Sequence, residues 1–207
     1  MRPAGKSGGR TERVPRRASA ARVLRIIGGT WRGRKLRFPQ GPDIRPTPDR
    51  VRETLFNWLG PRVAGARCLD LFAGSGALGL EALSRGAAHV TFIEHEPRAA
   101  HALSAHLAEW GAAGARVQCQ DALGFLRGTV SPCDIAFLDP PFASGLIGGA
   151  AELLAGRGWL TQGARVYVEC AAGAGAPELP ASLVVLKSKR AGEVGYHLYE
   201  YLQAAAD

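Results

Sequence analysis

The stretch Arg67–Glu94, RCLDLFAGSGALGLEALSRGAAHVTFIE, decides the fold. RCLDLF reads as an apolar strand, GSGALGLEALSRG as a glycine turn feeding a helix, and AHVTFIE as a second strand. Strand, helix and strand in that order make a crossover unit, and successive units build a parallel sheet. The rhythm continues downstream. EPRAAHALSAHLAEWG is a helix, ARVQCQD a third strand, Ala122–Leu126 a short helix and CDIAFLD a fourth strand. A helix near Leu146–Ala155 then precedes ARVYVEC, the fifth strand. Two more strands, near Leu183–Ser188 and Tyr196–Leu202, are joined by the short link KRAGEVG, which predicts an antiparallel addition. The expected class is α/β and Rossmann-like: a seven-stranded, mostly parallel sheet with helices on both faces.

Upstream, RVLRIIGGTWRGRKLRF (22–38) reads as a β-hairpin around a glycine-containing turn. Arg25, Arg32, Arg34, Lys35 and Arg37 crowd this element with Trp31 among them, a mixture suited to phosphate contact and base stacking. In DIRPTPDRVRETLFNWLG, Thr47 is a good N-cap, Pro48 fits the first helical position and Asp49 favours the positive helix end. Val51, Leu55, Trp58 and Leu59 recur on one face and Gly60-Pro61 stops the run, so a helix is expected over 48–59. Arg45, Thr47, Arg50 and Arg52, at and near its entry, join the hairpin cations as candidate RNA contacts. Residues 1–22 hold almost nothing to bury and are expected to be disordered. The chain thus divides into a basic tail (1–22), a hairpin and helix extension (23–60) and a main domain (61–207).

Charge follows that division. Residues 1–60 carry 15 Lys/Arg against 4 Asp/Glu, a net of +11, while residues 61–207 carry a net of −3. A nearly neutral body with a basic front points to a polyanion, most simply nucleic acid. Arg outnumbers Lys 22 to 4 in an Ala- and Gly-rich chain, so part of the Arg count reflects composition. Cys68, Cys119, Cys133 and Cys170 are widely spaced without a CxxC pair, which favours reduced thiols over zinc or disulfides. The five histidines make no metal-ligand pattern. No apolar run reaches membrane-spanning length, and the first twenty residues lack an apolar signal-peptide core, so a cytoplasmic protein is expected.

Ligands of open α/β sheets bind at the carboxyl ends of the strands. Four successive strand ends here carry an acid: Asp70, Glu94, Asp121 and Asp139. Gly74 and Gly76 let the loop after Asp70 turn tightly and approach a ligand. Gly79 stands third after Gly76, yet Asp70 before the loop would repel a pyrophosphate and welcome a cation or hydroxyl donors. Glu94, 24 residues on, suits ribose hydroxyls, and Asp121 suits a base edge as well as an N-cap. A nucleoside with a cationic group and no phosphate fits this set, and S-adenosylmethionine is such a ligand. The fourth end, FLDPPF (137–142), follows its acid with two prolines, which terminate the strand and leave a rigid lip with acceptors and an aromatic face.

DLFAGSGALGLEALSRGA, Glu94 and FLDPPF resemble the class I methyltransferase motifs, and Asp-Pro-Pro-Phe is similar to the signature of enzymes that methylate exocyclic amines of bases. RIIGGTWRGRKLRFP, RPTPDRVRETLFNWL and GEVGYHLYEY resemble more closely the bacterial 16S rRNA guanine-N2 methyltransferase family (RsmD type), over roughly residues 23–202. The resemblance implies that Asp139 and the Pro140 carbonyl hold the target amine, with Pro141 completing the lip and Phe142 stacking on the base. It implies a cofactor pocket of Asp70, the Phe72-Ala73-Gly74-Ser75-Gly76 backbone, Glu94, Asp121 and Ala122. The implied cofactor is S-adenosyl-L-methionine, the partner 16S rRNA within the small ribosomal subunit or an assembly intermediate, and the enzyme a monomer without metal or membrane. Two rivals weigh against this: an adenine-N6 methylase, for whose recognition domain 207 residues leave little room, and a non-catalytic assembly factor, in which Asp70, Gly74, Gly76 or Asp139 would have eroded. A dehydrogenase fails on the Asp-Pro-Pro lip.

Overall fold

The computed structural model describes residues 22–38 and 48–203. The basic tail before residue 22, Arg45 and Thr47 lie outside the described residues. The expected hairpin is present as β1 (Arg22–Arg25) and β2 (Lys35–Phe38), paired antiparallel. Helix α1 covers Asp49–Leu59, with Pro48 at the cap position rather than inside the helix. The main domain follows as β3 (Arg67–Asp70), α2 (Ala77–Ser84), β4 (His89–Glu94), α3 (Pro97–Glu109), β5 (Ala115–Cys119), α4 (Ala122–Arg127), β6 (Cys133–Leu138) and α5 (Leu146–Gly156). The chain ends with β7 (Leu160–Ala171), β8 (Leu183–Ala191) and β9 (Val194–Tyr201).

The seven strands of the main sheet lie in the order β5-β4-β3-β6-β7-β9-β8. β3 to β7 are parallel, whereas β9 runs antiparallel to β7 and β8 to β9. The order reverses between β3 and β6, so a crevice opens there at the carboxyl edge. β7 begins four residues before the expected ARVYVEC, because Leu160 pairs with Cys133 across an irregularity.

Side chains alternate between two cores, as a sheet covered on both faces requires. Cys68, Phe92, Phe137, Tyr167 and Leu198 face α1, α2, α3 and the hairpin. Leu69, Ile93, Leu138, Val168 and Tyr199 face α4 and α5. Leu24, Ile26, Leu36 and Phe38 of the hairpin belong to the first of these cores, so the N-terminal extension shares its packing with the sheet. Three cysteines are buried and Cys119 is exposed, all four as free thiols. Among the described residues, no helix is long and apolar enough to cross a membrane.

The hairpin turn is bolted to α2. Glu81, fully buried, accepts from the Ile27 N–H at 2.9 Å, the Gly28 N–H at 2.8 Å and Arg85 Nε at 2.7 Å. The Ser84 carbonyl accepts from the Thr30 N–H at 2.7 Å, and Ser84 Oγ from the Trp31 N–H at 2.9 Å. Gly29 makes this approach possible: its φ is +75°, and an added Cβ would lie 1.7 Å from the Ser84 oxygen.

Candidate active site

The first side of the crevice is the loop from β3 to α2. Gly74 and Gly76 both take positive φ, 51° and 78°, and Gly76 caps α2 in the left-handed region. The loop is tied to its neighbours by the Leu71 N–H donating to the Phe137 carbonyl at 3.1 Å and the Ala73 N–H to the Ile93 carbonyl at 2.9 Å. Gly74 is half-buried, Phe72 is half-buried and Ser75 is buried.

Asp70 sits beneath this loop. Its carboxylate accepts from the Gly79 N–H at 3.0 Å, and the residue is 3% exposed. Burial lifts its carboxyl to about 7, a rise that the Gly79 and Phe72 N–H groups oppose and the Glu94 charge adds to. Its geometry is that of a brace on the loop, reaching a ligand through the loop backbone.

Glu94 closes the next strand end. One oxygen accepts from the Gly74 N–H at 2.7 Å and the other from the Glu96 N–H at 2.7 Å. Those bonds aim the carboxylate at the glycine loop, and a carboxylate has lone pairs left for two hydroxyl donors. Asp121 is exposed and caps α4, accepting from the Gly124 N–H at 2.8 Å, while Ala122 is buried behind it. A glycine loop, an acid aimed at it and a second, exposed acid one strand further on have the chemistry to receive a nucleoside. S-adenosylmethionine is thereby accommodated in donor and acceptor type.

The second side is the lip. β6 ends at Leu138, immediately before the acid and the two prolines. Asp139 is half-buried, Pro140 buried and Pro141 exposed, and Phe142 leaves 43% of its surface open. The Pro141 carbonyl is occupied by the Ser144 N–H at 2.9 Å. Leu138 pairs with Val168, so Asp139 comes level with Glu169 on β7. Tyr167 donates to Glu169 at 2.8 Å, and its hydroxyl is pushed well above its ordinary range, by burial first, then by Glu169 and, more weakly, by Asp139. Glu169 is a buried acid behind the lip that the strand pattern alone did not single out.

The cations of the extension divide. Arg25, Arg32, Arg34, Lys35 and Arg50 are exposed. Trp31 packs edge-on against Trp110 at 5.2 Å, with Arg34 over the same Trp110 ring at 5.4 Å. Arg52 corrects the expectation of an RNA contact, since its side chain is fully buried. It donates to the Arg25 carbonyl at 2.8 Å and to Asp49 at 2.6 Å, and its Nη1 lies 3.6 Å from Glu81. Helical spacing carried the signal: 52, 55, 56 and 59 form one stripe, and Arg52 occupies its buried side with Leu55, Phe56 and Leu59.

A crevice at the order reversal, lined by an acid-braced glycine loop on one side and an Asp-Pro-Pro-Phe lip on the other, defines a class I methyltransferase. The sequence model of the family described as Conserved hypothetical protein 95 matches residues 24–200, and the chain belongs to that family. Ribosomal RNA small subunit methyltransferase D of Escherichia coli K12 is 50% identical over 182 residues, 88% of this chain and 92% of that protein. The protein of the same name from Haemophilus influenzae is 44% identical over 86% of this chain and 93% of its own length. The solved structure of the methyltransferase yhhF of Escherichia coli superposes with a TM-score of 0.81 at 49% identity, covering 87% of this chain and 99% of that one. The structure of a 16S rRNA N2 G1207 methyltransferase of Thermus thermophilus, with AdoMet and guanosine, shares the fold at a TM-score of 0.63 and 24% identity, over 88% of this chain and 50% of that one.

Proposed function

We propose that this protein methylates the exocyclic N2 of one guanine in 16S rRNA of the small ribosomal subunit, with S-adenosyl-L-methionine as donor. The observation that carries the reading is the placement of Asp139 and Phe142 just beyond the end of β6, the strand next to β3 and its Asp70 and Gly74 loop, across the crevice at the order reversal. The names of the relatives at 50% and 44% identity supply the substrate class.

When bound, S-adenosylmethionine supplies a methyl group already activated on a sulfonium. Asp70 braces the loop, Glu94 accepts from ribose hydroxyls and Asp121 from the adenine amine, with Phe72 to Gly76 and Ala122 lining the pocket. A guanine amine is a weak nucleophile because its lone pair is delocalised into the ring. Asp139 and the Pro140 carbonyl accept its two hydrogens, localise that lone pair and aim it. Phe142 stacks on the base, which must be unpaired or turned out of its helix. Alignment of this kind contributes up to about 7–11 kcal/mol in favourable cases. Arg25, Arg32, Arg34, Lys35 and Arg50 hold RNA, with Arg45 and Thr47 in the segment between hairpin and α1. Residues 23–60 serve as the RNA-binding extension and 61–207 as the catalytic domain, in a monomer that works in the cytoplasm without a metal.

The test is transfer of labelled methyl from S-adenosylmethionine to small ribosomal subunits that lack the modification, with the product nucleoside identified by mass spectrometry. N2-methylguanosine is expected, and Asp139→Ala should lower the rate at least ~100-fold while leaving cofactor binding intact. N6-methyladenosine as the product would overturn the choice of base.

A further inference from the structure

We propose that the turn between β8 and β9 is a second RNA-contacting element, gripping the sugar–phosphate backbone beside the target base on the side of the lip away from the N-terminal hairpin. The inference rests on the RNA-methylation reading above.

Topology places the turn. β9 starts antiparallel to the end of β7, with Val194 opposite Ala171, and β8 returns with Ala191 opposite Val194. The β8–β9 turn therefore projects from the carboxyl edge of the parallel strands, the edge that carries the four acids. Register makes the relation closer. Asp139 is level with Glu169, Glu169 pairs with Tyr196 and Tyr196 with Lys189. One row thus runs from the lip to the sheet edge, spanning three strand spacings, or about 14 Å.

Chemistry gives the partner. Lys187, Lys189 and Arg190 are exposed, against one nearby carboxylate, Glu193. Two of the chain's four lysines are in this strand, within a stretch, 61–207, whose net charge is −3. Trp58 of α1 stacks on Tyr196 at 5.3 Å and 28°, and Lys189 Nζ lies 6.0 Å from the Trp58 ring centre. A half-exposed aromatic with a lysine beside its ring, at a strand end that carries two further cations, has the composition of single-strand binding surfaces. The hairpin packs against α2 and α3, which cover β3 to β5, so the lip lies between two basic elements. A strand whose base enters the crevice from the hairpin side leaves it over β7, β9 and β8.

β8 is also an edge strand, with Val184, Val185 and Leu186 exposed by 43%, 49% and 41%, and lysines on such edges prevent strand pairing. That role would suit any position along the strand. The cations instead crowd the end that reaches the active-site edge. The two roles separate by experiment.

The triple variant K187Q/K189Q/R190Q is compared with wild type and with R62Q/R116Q/R127Q, which removes equal charge from exposed positions near the starts of β3, β5 and β6, at the opposite edge. Affinity for unmodified small ribosomal subunits is measured across a salt series, beside binding of S-adenosylmethionine. We expect the first variant to bind subunits about tenfold more weakly and its log affinity to fall less steeply with log salt, by about 2 in slope. Its cofactor affinity should equal that of wild type, and the control should change neither property. Lys189→Gln alone, an exposed and mild change, should weaken binding about threefold. Subunit affinity and salt slope equal to wild type, with or without self-association of the variant, would overturn the proposal and leave the methylation reading standing. Wild-type protein that neither binds nor methylates RNA would overturn both.

Discussion

Asp70 carries the sharpest consequence at the scale of the residue. Its carboxyl titrates near 7 in the folded protein, because it is buried under the glycine loop beside Glu94, against an ordinary value of 3.8. The sign follows from proton counting: between those values the folded chain holds a proton that the unfolded chain has released, so stability falls as pH rises. The contribution is whole below about pH 4 and lost by a little above pH 7, on the order of 4 kcal/mol. Asp70→Asn removes the titration and keeps the shape. In urea unfolding at pH 4 to 8, the stability of wild type relative to the variant should decline steadily with pH. A difference that stays flat over that window would contradict the buried, raised carboxyl. Asp139 differs from Asp70 in kind, since it is half-buried just past the end of β6, whereas the glycine loop folds over Asp70. The sequence placed both acids at strand ends through the alternation of apolar segments and turns. It could not tell the brace from the lip acid, because burial depends on the loop that folds back over Asp70.

At the scale of the element, the hairpin and α2 act as one piece. Glu81 joins the Ile27 and Gly28 amides, Arg85 and Arg52, with both Glu81 and Arg52 fully buried. α2 starts at the glycine loop, so the same helix sets that loop at one end and holds the hairpin near the other. Removing one partner of a buried charge network leaves the others uncompensated and costs roughly 3–5 kcal/mol. Glu81→Ala should therefore lower the urea midpoint, and hydrogen exchange at Ile27 and Gly28 should accelerate more than exchange in β3 or β6. Equal acceleration everywhere would mean that the hairpin does not open separately. The hairpin was legible as a hairpin from its glycine turn and flanking apolar residues. Its anchorage was not, because Glu81 and Ser84 lie within an ordinary apolar helix pattern and their partners are backbone amides more than fifty residues away. Arg52 is the opposite case: composition groups it with surface cations, although its spacing from Leu55, Phe56 and Leu59 assigns it to the core.

Across the whole molecule, charge counted along the chain and charge arranged in space tell different stories. Counting by segment puts the cations in residues 1–60 and leaves the remainder slightly acidic. The antiparallel return of β8 and β9 brings Lys187, Lys189 and Arg190 to the edge that carries the strand-end acids, and no count by segment could show that. The four strand-end acids were legible because parallel strands all end at one edge, whereas an antiparallel addition reverses which residues arrive there. The tail before β1 holds six of the basic residues against one acid, and so almost half of the front-end excess. Long-range attraction scales with cations near phosphates, whereas register is set by groups fixed in the fold. Deleting residues 1–21 should therefore weaken subunit binding at low salt and lower the salt slope by at most about 4, one unit or less for each phosphate that the tail no longer neutralises. The methylated position and the turnover rate at saturating RNA should be unchanged, since Asp139, the glycine loop, the hairpin and the β8–β9 turn all remain. The readouts are affinity across a salt series and mapping of the methylated nucleotide. Unchanged affinity and slope would remove any tethering role from the tail, and a shift in the methylated position would show that the tail helps to select the site.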